Sequence, residues 1–254
     1  MPCARAAIHF RRSNPARSAA GITQRKRLHV NDLITEPGTF EIDWGYLYSY
    51  TTANITMPSA FKWTPAGDHL LWGRTEYSVA FDSINSAINA SGRATQFSDR
   101  LTFQATSVVF DSTHFDIAIA PQITTLLRND RGMRAGATAI FRLDAKDNSL
   151  GATVGWSGAS SPSDTNPAGV WDLGLGYGRP LAHKGTLHKL TPHVNTVWEK
   201  ATGFDRTIAL FGGVEYQWTE RLAFDLTGQR YSLVGPGPDR QILASMTLTL
   251  GRQH

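Results

Sequence analysis

The chain has one cysteine in 254 residues, Cys3, so no disulfide can form within it. It also has no run near the roughly 18 uncharged apolar residues that a membrane-crossing helix needs. That excludes helical spanning only. A membrane-crossing strand needs about 9–11 residues and shows apolar character at every second position, so averaged hydropathy reads it as neutral. The mean hydropathy of −0.26 fits such averaging. Charge is scarce too, at 18% of residues, below the quarter or so of ordinary soluble domains.

Other absences narrow the chemistry. No G-x-S-x-G is present to build a nucleophile elbow. No Cys/His cluster exists, and His188 and His193, five apart, would lie on opposite faces of a strand. No catalytic residue, metal or cofactor is therefore expected. Acids are missing from residues 1–30, which hold Arg5, Arg11, Arg12, Arg17, Arg25, Lys26 and Arg27. In the remainder acids outnumber Lys and Arg, so the basic pI belongs to this tail. Clustered cations can bind phosphate, but no aromatic stacking set accompanies them, and no nucleic-acid partner is expected. Nor does the tail read as a secretory signal, because Arg5, Arg11 and Arg12 interrupt its short apolar stretch. The expectation is a disordered tail over residues 1–36 behind a misassigned start, followed by one β domain over 37–254.

What is present is glycine (23), aromatic residues (7 Trp, 7 Tyr, 12 Phe) and period-two alternation. Phe40, Ile42, Trp44, Tyr46, Tyr48 and Tyr50 share one strand face; Glu41, Asp43, Gly45 and Ser49 share the other, with Leu47 the exception. The pattern recurs around Leu71–Asp82, Phe115–Ile123, Met133–Leu143, Leu150–Trp156, Trp171–Gly178, Leu190–Glu199, Ile208–Trp218, Leu222–Gln229 and Ile242–Leu250. Two segments read less cleanly. Ile55–Trp63 contains Pro58, and Leu101–Phe110 is apolar on both faces near its end.

These segments number about twelve, an even count as in single-chain bacterial barrels. They are long for a soluble sandwich, whose strands usually run about five or six residues. Aromatics gather near strand ends, where amphipathic rings favour the headgroup level. The fold class is therefore all-β, a closed antiparallel transmembrane β-barrel of the bacterial outer membrane. A soluble β-sandwich binding protein and a barrel-type lipid acyl hydrolase are the alternatives. If both termini share one end, the long connections Ser83–Ser98, Gly158–Pro167 and Ser232–Pro238 lie at the other, and Asp111–Thr113, Ala145–Asn148 and Thr219–Glu220 are tight turns.

Strand parity points a charged set into the lumen: Glu41, Asp43, Arg74, Glu76, Asp116, Arg134, Arg142, Asp172, His193, Glu199, Glu215 and Asp225. Charges inside a barrel need partners, and rings of charge in a pore set what passes. Arg134 and Arg142 share one strand face and are placed to meet acids on neighbouring strands. The glycines of Gly174-Leu-Gly176-Tyr-Gly178 alternate within a strand, so they make lumen space rather than a nucleotide loop.

Three stretches resemble a known family: PSAFKW at Pro58–Trp63, FGGVEYQWTERLAFD at Phe211–Asp225, and Asp239–Leu250. They are similar to segments of the outer-membrane transporter family named for the MetA pathway of phenol degradation. The resemblance spans most of Phe40–Gly251 in layout. It implies an outer-membrane barrel that passes small, often aromatic or hydrophobic, compounds, with lipid and a small solute as its partners.

Overall fold

In the computed structural model the described residues are 33–50, 54–67, 69–89, 92–96, 100–126, 132–145, 148–163, 167–182, 186–231 and 240–251. The alternating segments form strands β1 (Thr39–Ser49), β2 (Asn54–Thr64), β3 (Thr75–Asn89), β4 (Gly92–Gln96), β5 (Arg100–Asp111), β6 (Phe115–Leu126) and β7 (Gly132–Ala145). After them come β8 (Asn148–Ala159), β9 (Gly169–Gly178), β10 (Leu190–Ala201), β11 (Thr207–Gln217), β12 (Leu222–Tyr231) and β13 (Arg240–Gly251). A short 3-10 turn, Thr186–Lys189, precedes β10.

All strand pairings are antiparallel, and each strand from β6 to β12 pairs with both its sequence neighbours. The ring closes where β1 meets β13, in continuous register from Thr39↔Gly251 to Ser49↔Gln241. β4 pairs only with the far half of β3, so the closed barrel has twelve strands. Closure has a direct physical cause. Hydrocarbon offers no hydrogen-bond partners, and each unpaired backbone group there costs several kcal/mol. A closed ring leaves no edge, which also excludes the two-layer sandwich.

The two faces are inverted relative to a soluble core. Trp44 is 52% exposed and Leu175 61%, and the same outward face carries Phe61, Trp156, Trp171, Leu173, Leu210 and Leu226. Buried instead are Glu41 at 4%, Asp116 at 4%, Glu76, Arg142, Thr191, Thr227 and Thr249. Large exposed apolar area is rare in soluble monomers. A continuous apolar exterior around a polar interior is the arrangement lipid requires.

Both unclear segments contain irregularities. The register of β2 on β3 shifts between Met57 and Pro58, with Ser83 of β3 the extra residue, at the point where proline has no N–H to donate to the ladder. The register of β5 on β6 shifts between Val108 and Phe110. That extra residue lets Val109 and Phe110 both face outward while Val108 stays 2% exposed. Leu47, the exception in β1, sits opposite Leu243 on the inner face.

The connections need one correction. Ser83–Ser98 is not one long loop: β3 runs on to Asn89 and folds back as β4. The cause is legible, since Ile84 and Ile88 fall two strand repeats apart among Ser and Asn. Ser232–Pro238 lies outside the described residues, and so does most of the basic tail. The turn at Asp111–Thr113 is tight, with the Ser112 amide donating to the Phe115 carbonyl.

The chain ahead of β1 enters the barrel. Glu36-Pro37-Gly38-Thr39 forms a turn in which the Thr39 amide donates to the Glu36 carbonyl at 3.0 Å and Gly38 has φ of 80°. Pro at the second position and a positive-φ Gly at the third are the requirements of a type II turn. It directs Leu33–Thr35 back across the lumen at the end where β1 starts and β13 finishes. Ile34 packs with Val108 and Ala118, flanked by Leu33 and Ile140. The Thr35 amide donates to Glu76 Oε2 at 2.7 Å, and its hydroxyl lies 2.7 Å from that of Thr64.

Candidate functional site

The lumen is assembled from the inward positions of the strands, and its charged groups are organised locally. On β1 and β2, Lys62 Nζ lies 2.9 Å from Glu41 Oε1 and 2.6 Å from Asp43 Oδ2. Glu76 on β3 is close enough to act on Lys62 electrostatically. Across the seam, Thr247 donates its hydroxyl to Asp43 at 2.6 Å, Gln241 donates to Ser49 at 2.7 Å, and Thr249 reaches Glu41 at 3.5 Å. The closing strands are thus tied by side chains inside as well as by backbone.

A second group spans β10–β12. His193, Gly213 and Thr227 lie in one register row. Gly213 has no side chain, so the His193 ring reaches over β11, placing Nε2 3.1 Å from Thr227 Oγ1 and Nδ1 3.6 Å from Asp225 Oδ2. Thr227 also donates to Asp225 Oδ1 at 2.5 Å. A Cβ at Gly213 would come within 2.5 Å of Thr227 Oγ1, 2.6 Å of the Leu226 carbonyl and 2.8 Å of His193 Nε2. Glu215 sits one inward position along β11, opposite Asp225.

The two arginines of β7 part ways. Arg142 sits opposite Asp116 in register and bonds Asp144 on its own strand at 2.9 Å. Arg134, near the end away from the termini, donates to Ser157 Oγ at 3.0 Å and to the Pro167 carbonyl. Asp172 and Glu199 face each other on β9 and β10. Arg74 is half-buried just ahead of β3 rather than on a strand face, and its carbonyl accepts from the Val108 amide.

The structure therefore brings Glu41, Asp43 and Glu76 together with Lys62, and Arg142 with Asp116. It joins His193 to Asp225, with Glu215 beside them, and pairs Asp172 with Glu199. Arg134 and Arg74 stand apart from these groups. Sequence reading passed over Lys62, although it lies between the alternating Phe61 and Trp63. It also passed over Thr35, inside the presumed tail, although Pro37-Gly38 signals the turn that brings it in. Among the described residues no group of three or more His, Cys, Asp or Glu could hold a metal ion.

No family model and no curated protein matches the sequence. Solved structures do match in fold. The KdgM porin superposes with a TM-score of 0.57 at 11% identity, covering 84% of this chain and 99% of that one. The NanC porin gives 0.57 at 9% identity, over 84% and 100%. An outer membrane channel from Pseudomonas putida F1 gives 0.59 at 10% identity, over 85% and 97%. The chain has the fold of these outer-membrane barrels.

Proposed function

We propose that this chain is a channel of the bacterial outer membrane that passes small solutes through its polar lumen. The observation that carries the reading is the inversion of the two faces. Apolar side chains cover the outside of a closed ring, and Glu41, Glu76, Asp116 and Arg142 are buried inside it. Charges buried there need partners, and Lys62 between Glu41 and Asp43, and Arg142 facing Asp116, supply them inside the ring rather than on the lipid side. The charged set predicted from strand parity, with Lys62 added, lines the solute path in this reading. The strap Leu33–Thr35 narrows it at the end near the termini.

The resemblance to the phenol-degradation transporters supports small aromatic or hydrophobic compounds as solutes. One of the similar structures is a KdgM porin in complex with oligogalacturonate, so this barrel architecture has a solute-bound example. The lipid-hydrolase alternative is weaker. Such chemistry needs its histidine at the lipid face, and His193 faces inward with Thr227 and Asp225. The chain acts without catalysis.

Planar-bilayer recording tests the proposal. The refolded protein is expected to partition with detergent, to run faster on gels before boiling, and to give discrete conductance steps. A monomer that stays soluble without detergent contradicts it.

A further inference from the structure

The charged side chains of the lumen are unevenly spread. Glu41, Asp43, Glu76, Asp116, Glu215 and Asp225 all lie in the half of their strands nearer the termini. Among the described lumen residues the full-time cations on that half are Lys62, held between Glu41 and Asp43, Arg142, held by Asp144 and facing Asp116, and Arg74, half-buried just ahead of β3. The other end carries fewer charges: Asp172 and Glu199, opposite each other, and Arg134, folded onto Ser157 and the Pro167 carbonyl. Pairing changes where these groups point but leaves their summed charge unchanged. The half of the lumen that the strap narrows therefore carries a net negative charge.

We propose that this acidic half makes the lumen selective for cations over anions, so that positively charged solutes are the class it admits best. The inference rests on the channel reading above. Its physics is field focusing: low-dielectric walls confine the field of the wall charges to the aqueous path. Screening acts over about 10 Å at 0.1 M salt. The strap makes the acidic half the narrow half, so a permeating ion there passes close to these groups. An anion would have to cross the same field against repulsion.

The test is the reversal potential of the full chain in planar bilayers under a KCl gradient at pH 8. Potassium is expected to outpass chloride severalfold, the direction that rings of acidic side chains impose in pores. The Glu215→Gln/Asp225→Asn double variant is expected to bring the ratio toward one. Asp205→Asn, at an exposed site between β10 and β11, is expected to leave it unchanged. Should the double variant fail to fold, choline and gluconate permeation through the parent protein reads the same property, with choline expected to pass faster. A conducting parent with a ratio at or below one, or with gluconate faster, overturns the inference and spares the channel reading. A folded parent with no conductance overturns the channel reading and takes this inference with it.

Discussion

β1 and β9 belong to one sheet and look alike from outside, yet their inner faces differ. Outward, β1 presents Phe40, Trp44 and Tyr46, and β9 presents Trp171, Leu173, Leu175 and Tyr177. Inward, β1 carries Glu41, Asp43 and Ser49, each bonded across the seam to β13. The inner face of β9 carries Gly174, Gly176 and Gly178, with Asp172 the one charge. The outer faces converge because both meet the same solvent, lipid. The inner faces diverge because position around the ring sets their task. At the seam, side chains fasten the closing strands; on β9, their absence leaves room.

That contrast is open to attack on both faces. The largest effect is expected on the outer one: Leu175→Arg places a charge on the lipid face and should cost about 2–4 kcal/mol near the bilayer midplane, read by urea titration of folding into vesicles. Gly176→Arg, one residue away on the inner face, should cost far less, and equal costs would erase the contrast. Gly213→Val comes next. Its Cβ would collide with Thr227, His193 and the Leu226 carbonyl, so a loss of about 1–3 kcal/mol is expected by the same titration. Thr247→Val removes the bond to Asp43 at the seam and should cost about 1 kcal/mol. The smallest effect belongs to Tyr177→Phe, which loses an exposed hydroxyl bond to Asn148 and should stay within about 0.5 kcal/mol.

The barrel itself was readable in the sequence because lipid outside and water inside impose a period of two on every strand. Phe40–Tyr50 states this most clearly. The readings that failed or were incomplete share a cause: one residue out of step. Ser83, opposite Met57 and Pro58, and Val109 are each an extra residue that alternation cannot place, since a bulge reverses the faces beyond it. β4 was hidden because Ser and Asn dilute the period around Ile84 and Ile88. The strap was hidden for the opposite reason. Three residues are too few to show any period, and only Pro37-Gly38 marks the turn that sends them inward. Parity gives each lumen residue a direction and not its partners. The link between His193 and Thr227 depends on what Gly213 lacks, and the Lys62 bridge depends on two neighbouring strands arriving in register.

The central claim is that alternate residues of one strand meet lipid and water. Spin labels placed singly at Leu173, Gly174, Leu175 and Gly176, with Cys3 replaced by serine, test it in reconstituted vesicles. The account predicts collision with oxygen at 173 and 175 and with a water-soluble nickel chelate at 174 and 176. Four labels that respond alike, or that answer in the reverse order, would contradict it.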